Sequence, residues 1–130
     1  MEVLIIDDDT LIHEVLAAVV RRAFPGWDIA FSTDLEAAFR HVAHHGEPDL
    51  ALLDLSLPGQ SGLDALRRFR GKFPDMPVVI VSASDDKKSI RAALNAGAAG
   101  YIPKVLSAHE MLAALKVVAD GDVYVPPQAS

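Results

Sequence analysis

The chain has 130 residues, of which 51% are hydrophobic and 23% charged, and its formal net charge is −6. This size and composition fit one globular domain with a substantial core, and the negative balance argues against direct nucleic-acid binding, because phosphate contacts need a basic face. The lack of cysteine excludes disulfides and thiolate chemistry, and the first apolar run, Val3 to Ile6, is too short for a signal peptide or a membrane span, so we expect a cytoplasmic protein with no membrane partner.

Five short apolar runs predict five β-strands, and the stretches between and after them have the spacing of amphipathic helices. In chain order the predicted strands are Val3–Ile6, Trp27–Phe31, Leu50–Asp54, Val78–Ser82 and Gly100–Pro103. The first helix is expected to be capped by Thr10 and to turn one apolar stripe inward, made of Leu11, Val15 and Val19 with Ile12 and Leu16 beside them. The last helix should open with the capping box that runs from Ser107 to Glu110.

Strict alternation of strands and helices predicts an α/β fold, a parallel sheet covered by helices on both faces. Right-handed crossovers leave few topologies, and the order 2-1-3-4-5 puts the most apolar strands in the middle and the less apolar Trp27–Phe31 strand at an edge. The expected architecture is therefore a flavodoxin-like, doubly wound sheet of five strands with five helices.

Four of the apolar strands run directly into a reactive side chain. The residues concerned are Asp7 and Asp8, Asp54, Ser82, and Lys104. Parallel strands have their carboxyl ends at one edge of the sheet, which is where open α/β sheets bind ligands. These side chains are therefore expected to meet in space.

Three carboxylates at one place repel one another, and a hard divalent cation with oxygen ligands, Mg²⁺ or Mn²⁺, would relieve this repulsion. We expect Asp8 and Asp54 to be direct ligands, Asp7 to act through water, and the backbone carbonyl of Ser56 to contribute. Such a site can receive a phosphoryl group: Asp54 would attack it, while Lys104 offsets the charge on the transferring oxygens. Ser82 can donate a hydrogen bond to a phosphoryl oxygen.

These motifs resemble the receiver domain of bacterial two-component response regulators. The matching residues are Asp7-Asp8, Asp54, Pro58 and Gly62, Ser82-Ala83, and Gly100-Tyr101-Ile102-Pro103-Lys104. The resemblance implies transfer of a phosphoryl group to Asp54 from the phosphohistidine of a sensor histidine kinase or phosphotransfer protein, with Mg²⁺ required. It also implies slow self-dephosphorylation, so that the domain is not a conventional multi-turnover enzyme.

The same resemblance implies a switch and an output. Ser82 would move toward the phosphoryl group and Tyr101 would turn inward behind it, altering the face made by the fourth helix, the fifth strand and the fifth helix, with a homodimer as one consequence. The C-terminal half is similar to the LuxR/NarL-type subfamily, in which a helix-turn-helix DNA-binding domain follows the receiver. We therefore expect a receiver at 1–122, the start of a linker at 123–130, and control of transcription through a domain outside this sequence. Val105 stands where many members have proline after a cis peptide bond, so that feature is not carried over.

Two other functions remain open. A haloacid-dehalogenase-type phosphatase would use Asp7 as its nucleophile and Asp9 as its acid and base, with Ser82 and Lys104 imitating its later motifs, but it would leave Asp54 without a role. A pseudo-receiver would dock partners without being phosphorylated, although such chains usually lack an acid or the lysine.

The histidines are the remaining candidate ligands. His41, His44 and His45 have a helical spacing that can bind Zn²⁺, but exposed positions near a helix end are the simpler interpretation. We also expect His13 and His109 on the surface, and Asp9 as a solvated turn residue.

Overall fold

The computed structural model of this protein describes residues 1–55 and 62–129. Its five strands are β1 Glu2–Ile6, β2 Asp28–Ser32, β3 Leu50–Asp54, β4 Val78–Ser82 and β5 Gly100–Pro103. The helices that follow them are α1 Thr10–Ala23, α2 Leu35–His45, α3 Gly62–Lys72, α4 Lys87–Asn95 and α5 Ala108–Ala119, and a short 3₁₀ turn covers Pro127–Ala129.

All neighbouring strands are parallel and lie in the order β2-β1-β3-β4-β5, which confirms the predicted flavodoxin-like topology. The register also aligns the carboxyl ends of the strands. Asp54 is paired with Val81, and Ser82 with Pro103. Because of this alignment, the residues that end β3, β4 and β5 reach the same edge of the sheet.

Two apolar cores lie on opposite faces of the sheet. On β1, Leu4 and Ile6 face the core built with α2, α3 and α4, whereas Val3 and Ile5 face the core built with α1 and α5. Both faces exclude water, which is why the central strands carry unbroken apolar runs instead of alternating with polar residues.

The predicted inward stripe of α1 is partly wrong. Leu11 and Val15 are exposed, at 65% and 45%, while Val19 is buried as expected, and the buried stripe includes His13 and Val20. Thr10, Glu14, Arg21 and Arg22 mark the exposed side of α1, and Leu11 lies on that side, so a stripe that begins at Leu11 is rotated away from the buried face. Its rotation is decided by which side chains fit against the sheet and α5.

The helix ends follow capping chemistry, with one correction. Asp9 caps α1, where its side chain accepts a 2.9 Å hydrogen bond from the Leu11 N–H, and Thr10 is the first helical residue. The capping box between Ser107 and Glu110 is present as predicted.

The segment expected to begin a linker packs against the edge of the sheet. Tyr124 pairs with β5, donating from its N–H to the Ala99 carbonyl at 3.0 Å and accepting from the Tyr101 N–H at 3.3 Å. Ala129 is buried, and its carbonyl accepts a 3.2 Å hydrogen bond from Arg91 on α4. An edge strand leaves a row of backbone groups unpaired, and this segment satisfies part of that row.

Among the residues that the structure describes, no helix combines the length and the apolar character needed to cross a bilayer.

Candidate functional site

The carboxyl edge of the sheet brings the predicted acids together. One carboxylate oxygen from each of Asp7, Asp8 and Asp54 lies within 4.8 Å of the other two. Asp7 follows β1 directly and Asp54 ends β3, so neighbouring parallel strands deliver both side chains to the same point. Asp7 and Asp54 are almost completely buried, at 1% and 4% exposure, whereas Asp8 faces solvent.

Lys104 supplies the positive charge of the site. Its Nζ lies 3.2 Å from Asp7 Oδ2 and 3.7 Å from Asp54 Oδ1. Its backbone N–H donates a 2.7 Å hydrogen bond to the Ser82 carbonyl, which anchors the end of β5 to the end of β4. The ammonium therefore reaches both buried acids, and the peptide bond to Val105 is trans.

The acid cluster offers the carboxylate oxygens that a hard cation prefers as ligands. Asp7 Oδ1 accepts a 2.9 Å hydrogen bond from the Asp9 N–H, but Asp7 Oδ2 is buried and receives no hydrogen bond, even though the Lys104 ammonium lies at ion-pair distance. A buried carboxylate oxygen beside two further carboxylates fits Mg²⁺, which binds few protein oxygens and keeps several waters. The predicted Ser56 carbonyl lies outside the described residues.

Ser82 and Tyr101 are linked through the loop after β4. Ser82 is buried, and its Oγ accepts a 3.1 Å hydrogen bond from the Ser84 N–H. Tyr101 is fully buried in the inward position, and its hydroxyl donates a 2.8 Å hydrogen bond to the Ser84 carbonyl. The same loop residue therefore contacts both predicted switch residues.

The loop leads into α4 through a compact cap. Asp86 accepts from the Ser84 hydroxyl and from both the N–H and the hydroxyl of Ser89, at 2.6 to 2.8 Å. These donors stabilise the ionised carboxylate and lower the pKa of Asp86 to about 2.

The structure corrects the prediction for His13. This side chain is buried, at 7% exposure, and its Nε2 lies 2.6 Å from the backbone carbonyl of Asp7. The spacing contained a usable signal, because His13 precedes the buried Leu16, Ala17 and Val20 by three, four and seven positions. The polar character of histidine favours a surface position, so residue type and spacing give opposite indications here.

The other histidines do not form a metal group. His44, His45 and His109 are exposed, and His41 is half-buried with its Nε2 3.2 Å from Glu2 Oε1. Within residues 1–55 and 62–129, the cluster Asp7, Asp8 and Asp54 is the one arrangement of three ligands close enough to share an ion.

Comparison with known proteins agrees with this geometry. The family profile described as "Response regulator receiver domain" matches residues 3–116. A glycerol metabolism activator from Pseudomonas putida is 39% identical over 126 residues, which are 97% of this chain and 57% of that protein. The transcriptional regulatory protein DegU from Brevibacillus brevis is 31% identical over 130 residues, covering 100% of this chain and 55% of that protein. The chain thus spans little more than half the length of these relatives.

Solved structures show the same fold. A LuxR family DNA-binding response regulator from Silicibacter pomeroyi superposes with a TM-score of 0.85 at 29% identity, covering 98% of each chain. A LuxR family two-component response regulator from Aurantimonas sp. SI85-9A1 gives a TM-score of 0.88 at 26% identity, over 98% of this chain and 91% of that one.

Proposed function

The chain belongs to the receiver-domain family of two-component response regulators, and from that premise we propose that it accepts a phosphoryl group on Asp54. One observation carries the proposal. The Asp54 carboxylate lies at the carboxyl edge of the sheet, beside two further acids and 3.7 Å from an ammonium. This is the environment that an in-line attack by a carboxylate on a phosphoryl group requires.

The donor in this transfer is a phosphohistidine. An Asp54 oxygen forms a bond to phosphorus as the phosphorus–nitrogen bond breaks, and the departing imidazole takes up a proton. Lys104 offsets the charge on the phosphoryl oxygens, and the Ser82 hydroxyl donates a hydrogen bond to one of them. Water later attacks phosphorus and releases inorganic phosphate, restoring the carboxylate. The domain thus accepts one phosphoryl group and then loses it by hydrolysis, and it does not act as a conventional multi-turnover enzyme.

A divalent cation completes the site in this proposal. Asp8 and Asp54 would hold Mg²⁺ or Mn²⁺ directly and Asp7 through water, in keeping with the buried Asp7 oxygen that has no hydrogen bond. When bound, the cation neutralises negative charge between the acids and the incoming phosphoryl oxygens. The backbone carbonyl of Ser56 stays a predicted ligand.

Phosphorylation is proposed to act through the loop after β4. Movement of the Ser82 hydroxyl toward a phosphoryl oxygen would displace the Ser84 N–H that it now accepts from. Ser84 also accepts from Tyr101, so the change would favour one position of that ring and one arrangement of α4, β5 and α5.

The relatives support a proposal for the cellular context. We infer a histidine kinase or phosphotransfer protein as the donor, a cytoplasmic location, and control of transcription through a DNA-binding domain that follows this segment. The receiver would occupy residues 1–122 and the linker would begin at 123–130, and phosphorylation would allow homodimers to form. A relative named as a transcriptional regulatory protein and a solved structure named as a DNA-binding response regulator support this proposal.

The local geometry disfavours a phosphatase with Asp7 as nucleophile. Asp9, its required acid and base, accepts from the Leu11 N–H to cap α1, and its own N–H donates to Asp7. Its carboxylate therefore caps the helix and is not placed to act as an acid and base at Asp7. A pseudo-receiver is disfavoured because the acids and Lys104 are all present and close together.

The proposal is tested by incubation with acetyl phosphate and Mg²⁺, followed by mass spectrometry of the intact chain and its peptides. We expect one added phosphoryl group on Asp54, which is absent from Asp54→Asn and from samples treated with a chelator. Asp75→Asn is the matched control, because Asp75 is an exposed acid in the turn before β4. Label on Asp7, or label that survives Asp54→Asn unchanged, would overturn the assignment.

A further inference from the structure

We propose that His13 is a positioning residue of the acidic cluster, which holds the Asp7–Asp8 peptide in the orientation that cation binding requires. The inference rests on the proposed function, since it concerns the same acids. His13 lies on the first turns of α1 and is not one of the residues that resemble the family motif. Its ring is buried and its Nε2 lies 2.6 Å from the Asp7 carbonyl oxygen.

The direction of this hydrogen bond is fixed by chemistry. A carbonyl oxygen can only accept, so the proton must be on Nε2, and His13 is the donor. The ring is also held in its plane, because it stacks on Phe31 of β2 with 5.0 Å between the ring centroids and 27° between the planes. The donor therefore has little freedom to move away from Asp7.

The hydrogen bond from His13 is one of three that hold Asp7 in place. Its N–H donates to the Ser32 carbonyl at 3.0 Å, and its Oδ1 accepts from the Asp9 N–H at 2.9 Å. With the carbonyl held by His13, the one polar atom of Asp7 that lacks a hydrogen bond is Oδ2, which faces Lys104. Two elements, β2 and α1, thus orient the backbone so that this oxygen enters the cluster.

The consequence extends to Asp8. The Asp7 carbonyl belongs to the peptide unit that leads into Asp8, so the plane of that unit sets the direction in which the exposed Asp8 carboxylate leaves the backbone. Without the donor, the peptide unit could rotate and the three carboxylates would no longer converge. Groups that orient the ligands of a metal typically change its affinity by 10- to 100-fold when they are removed.

The test compares His13→Leu, which keeps similar bulk without a donor, with His13→Gln, whose side-chain N–H can reach the carbonyl. Isothermal titration with Mg²⁺ alone is expected to show binding about tenfold weaker in His13→Leu and restored to within about threefold in His13→Gln. Leu16→Ala, on the same buried face of α1, is the control for destabilisation of the helix and should leave the affinity unchanged.

A second readout needs no metal. Nitrogen-15 spectra of the His13 ring should show the proton on Nε2, and the amide signals of Asp8 and Asp9 should move in His13→Leu but not in Leu16→Ala. Mg²⁺ affinity within twofold of wild type in a folded His13→Leu would overturn the inference, as would a wild-type chain that binds no Mg²⁺. A wild-type chain that binds Mg²⁺ but takes up no phosphoryl group would contradict the proposed function without contradicting the positioning role of His13.

Discussion

The hydroxyl of Tyr101 donates a 2.8 Å hydrogen bond to the backbone carbonyl of Ser84, which lies 17 positions earlier in the chain. Ser84 in turn donates from its N–H to the buried Ser82 hydroxyl. A continuous hydrogen-bonded path therefore runs from β5 to the end of β4, beside the proposed phosphoacceptor. Any movement of Ser82 toward a phosphoryl oxygen must change this path.

Removal of the Tyr101 hydroxyl should loosen that loop while the ring stays in the core. We expect Tyr101→Phe to lower the free energy of unfolding by about 1 kcal/mol and to speed amide hydrogen exchange at residues 83–86. Urea denaturation and exchange measured by NMR check both effects. Tyr124→Phe, at a half-buried ring, is the control, and equal exchange rates in wild type and Tyr101→Phe would contradict the coupling.

Replacement of Lys104 should separate cation binding from phosphoryl uptake. In Lys104→Met, phosphorylation by acetyl phosphate is expected to slow roughly a hundredfold, because the charge that offsets the transferring oxygens is lost. Mg²⁺ should bind more tightly, since the ammonium 3.2 Å from Asp7 Oδ2 no longer repels it. Stopped-flow kinetics and calorimetry measure the two effects, with the exposed Lys116→Met as control. Parallel losses of affinity and rate would be inconsistent with this role.

The cap of α4 predicts a pH dependence. The folded pKa of Asp86 is lowered from 3.8 to about 2 by the Ser84 and Ser89 donors, so its contribution to stability is fully present above pH 4 and is lost as the pH falls toward 2. NMR titration of the carboxylate should give this low value, and Asp86→Asn should remove that part of the pH dependence. Asp75→Asn should not, and an Asp86 that titrates near 3.8 in the folded chain would refute the prediction.

The segment after α5 should stabilise the edge of the sheet. Deletion of residues 124–130 would remove the partners of the Ala99 carbonyl and the Tyr101 N–H. We expect unfolding to become easier by about 1–3 kcal/mol and the Tyr101 amide to exchange faster. Substitution of the exposed Val125 by serine should change the free energy of unfolding by less than about 0.5 kcal/mol. A truncated chain as stable as the full one would show that the packing contributes nothing.

Much of the site could be predicted from the sequence because it is formed by the residues that end each parallel strand. Each apolar run ends in a recognisable acid, serine or lysine, and parallel strands deliver their carboxyl ends to one edge. The sequence therefore predicts that Asp7, Asp54 and Lys104 meet, and they do. The alternation of strands and helices likewise predicted the fold class, and right-handed crossovers with the most apolar strands in the middle predicted the sheet order.

The tertiary structure decided which side chains are buried and which backbone groups pair, because both depend on competition for space and for hydrogen-bond partners. The charged residues of α1 mark its exposed side, but only the fit of the helix against the sheet and α5 placed the polar His13 inward, next to Asp7. The segment around Tyr124 carries no sequence signal for pairing, and only the unpaired edge of β5 gives its backbone partners. Local sequence encodes the period and direction of each element, whereas its rotation and its contacts depend on residues far away in the chain.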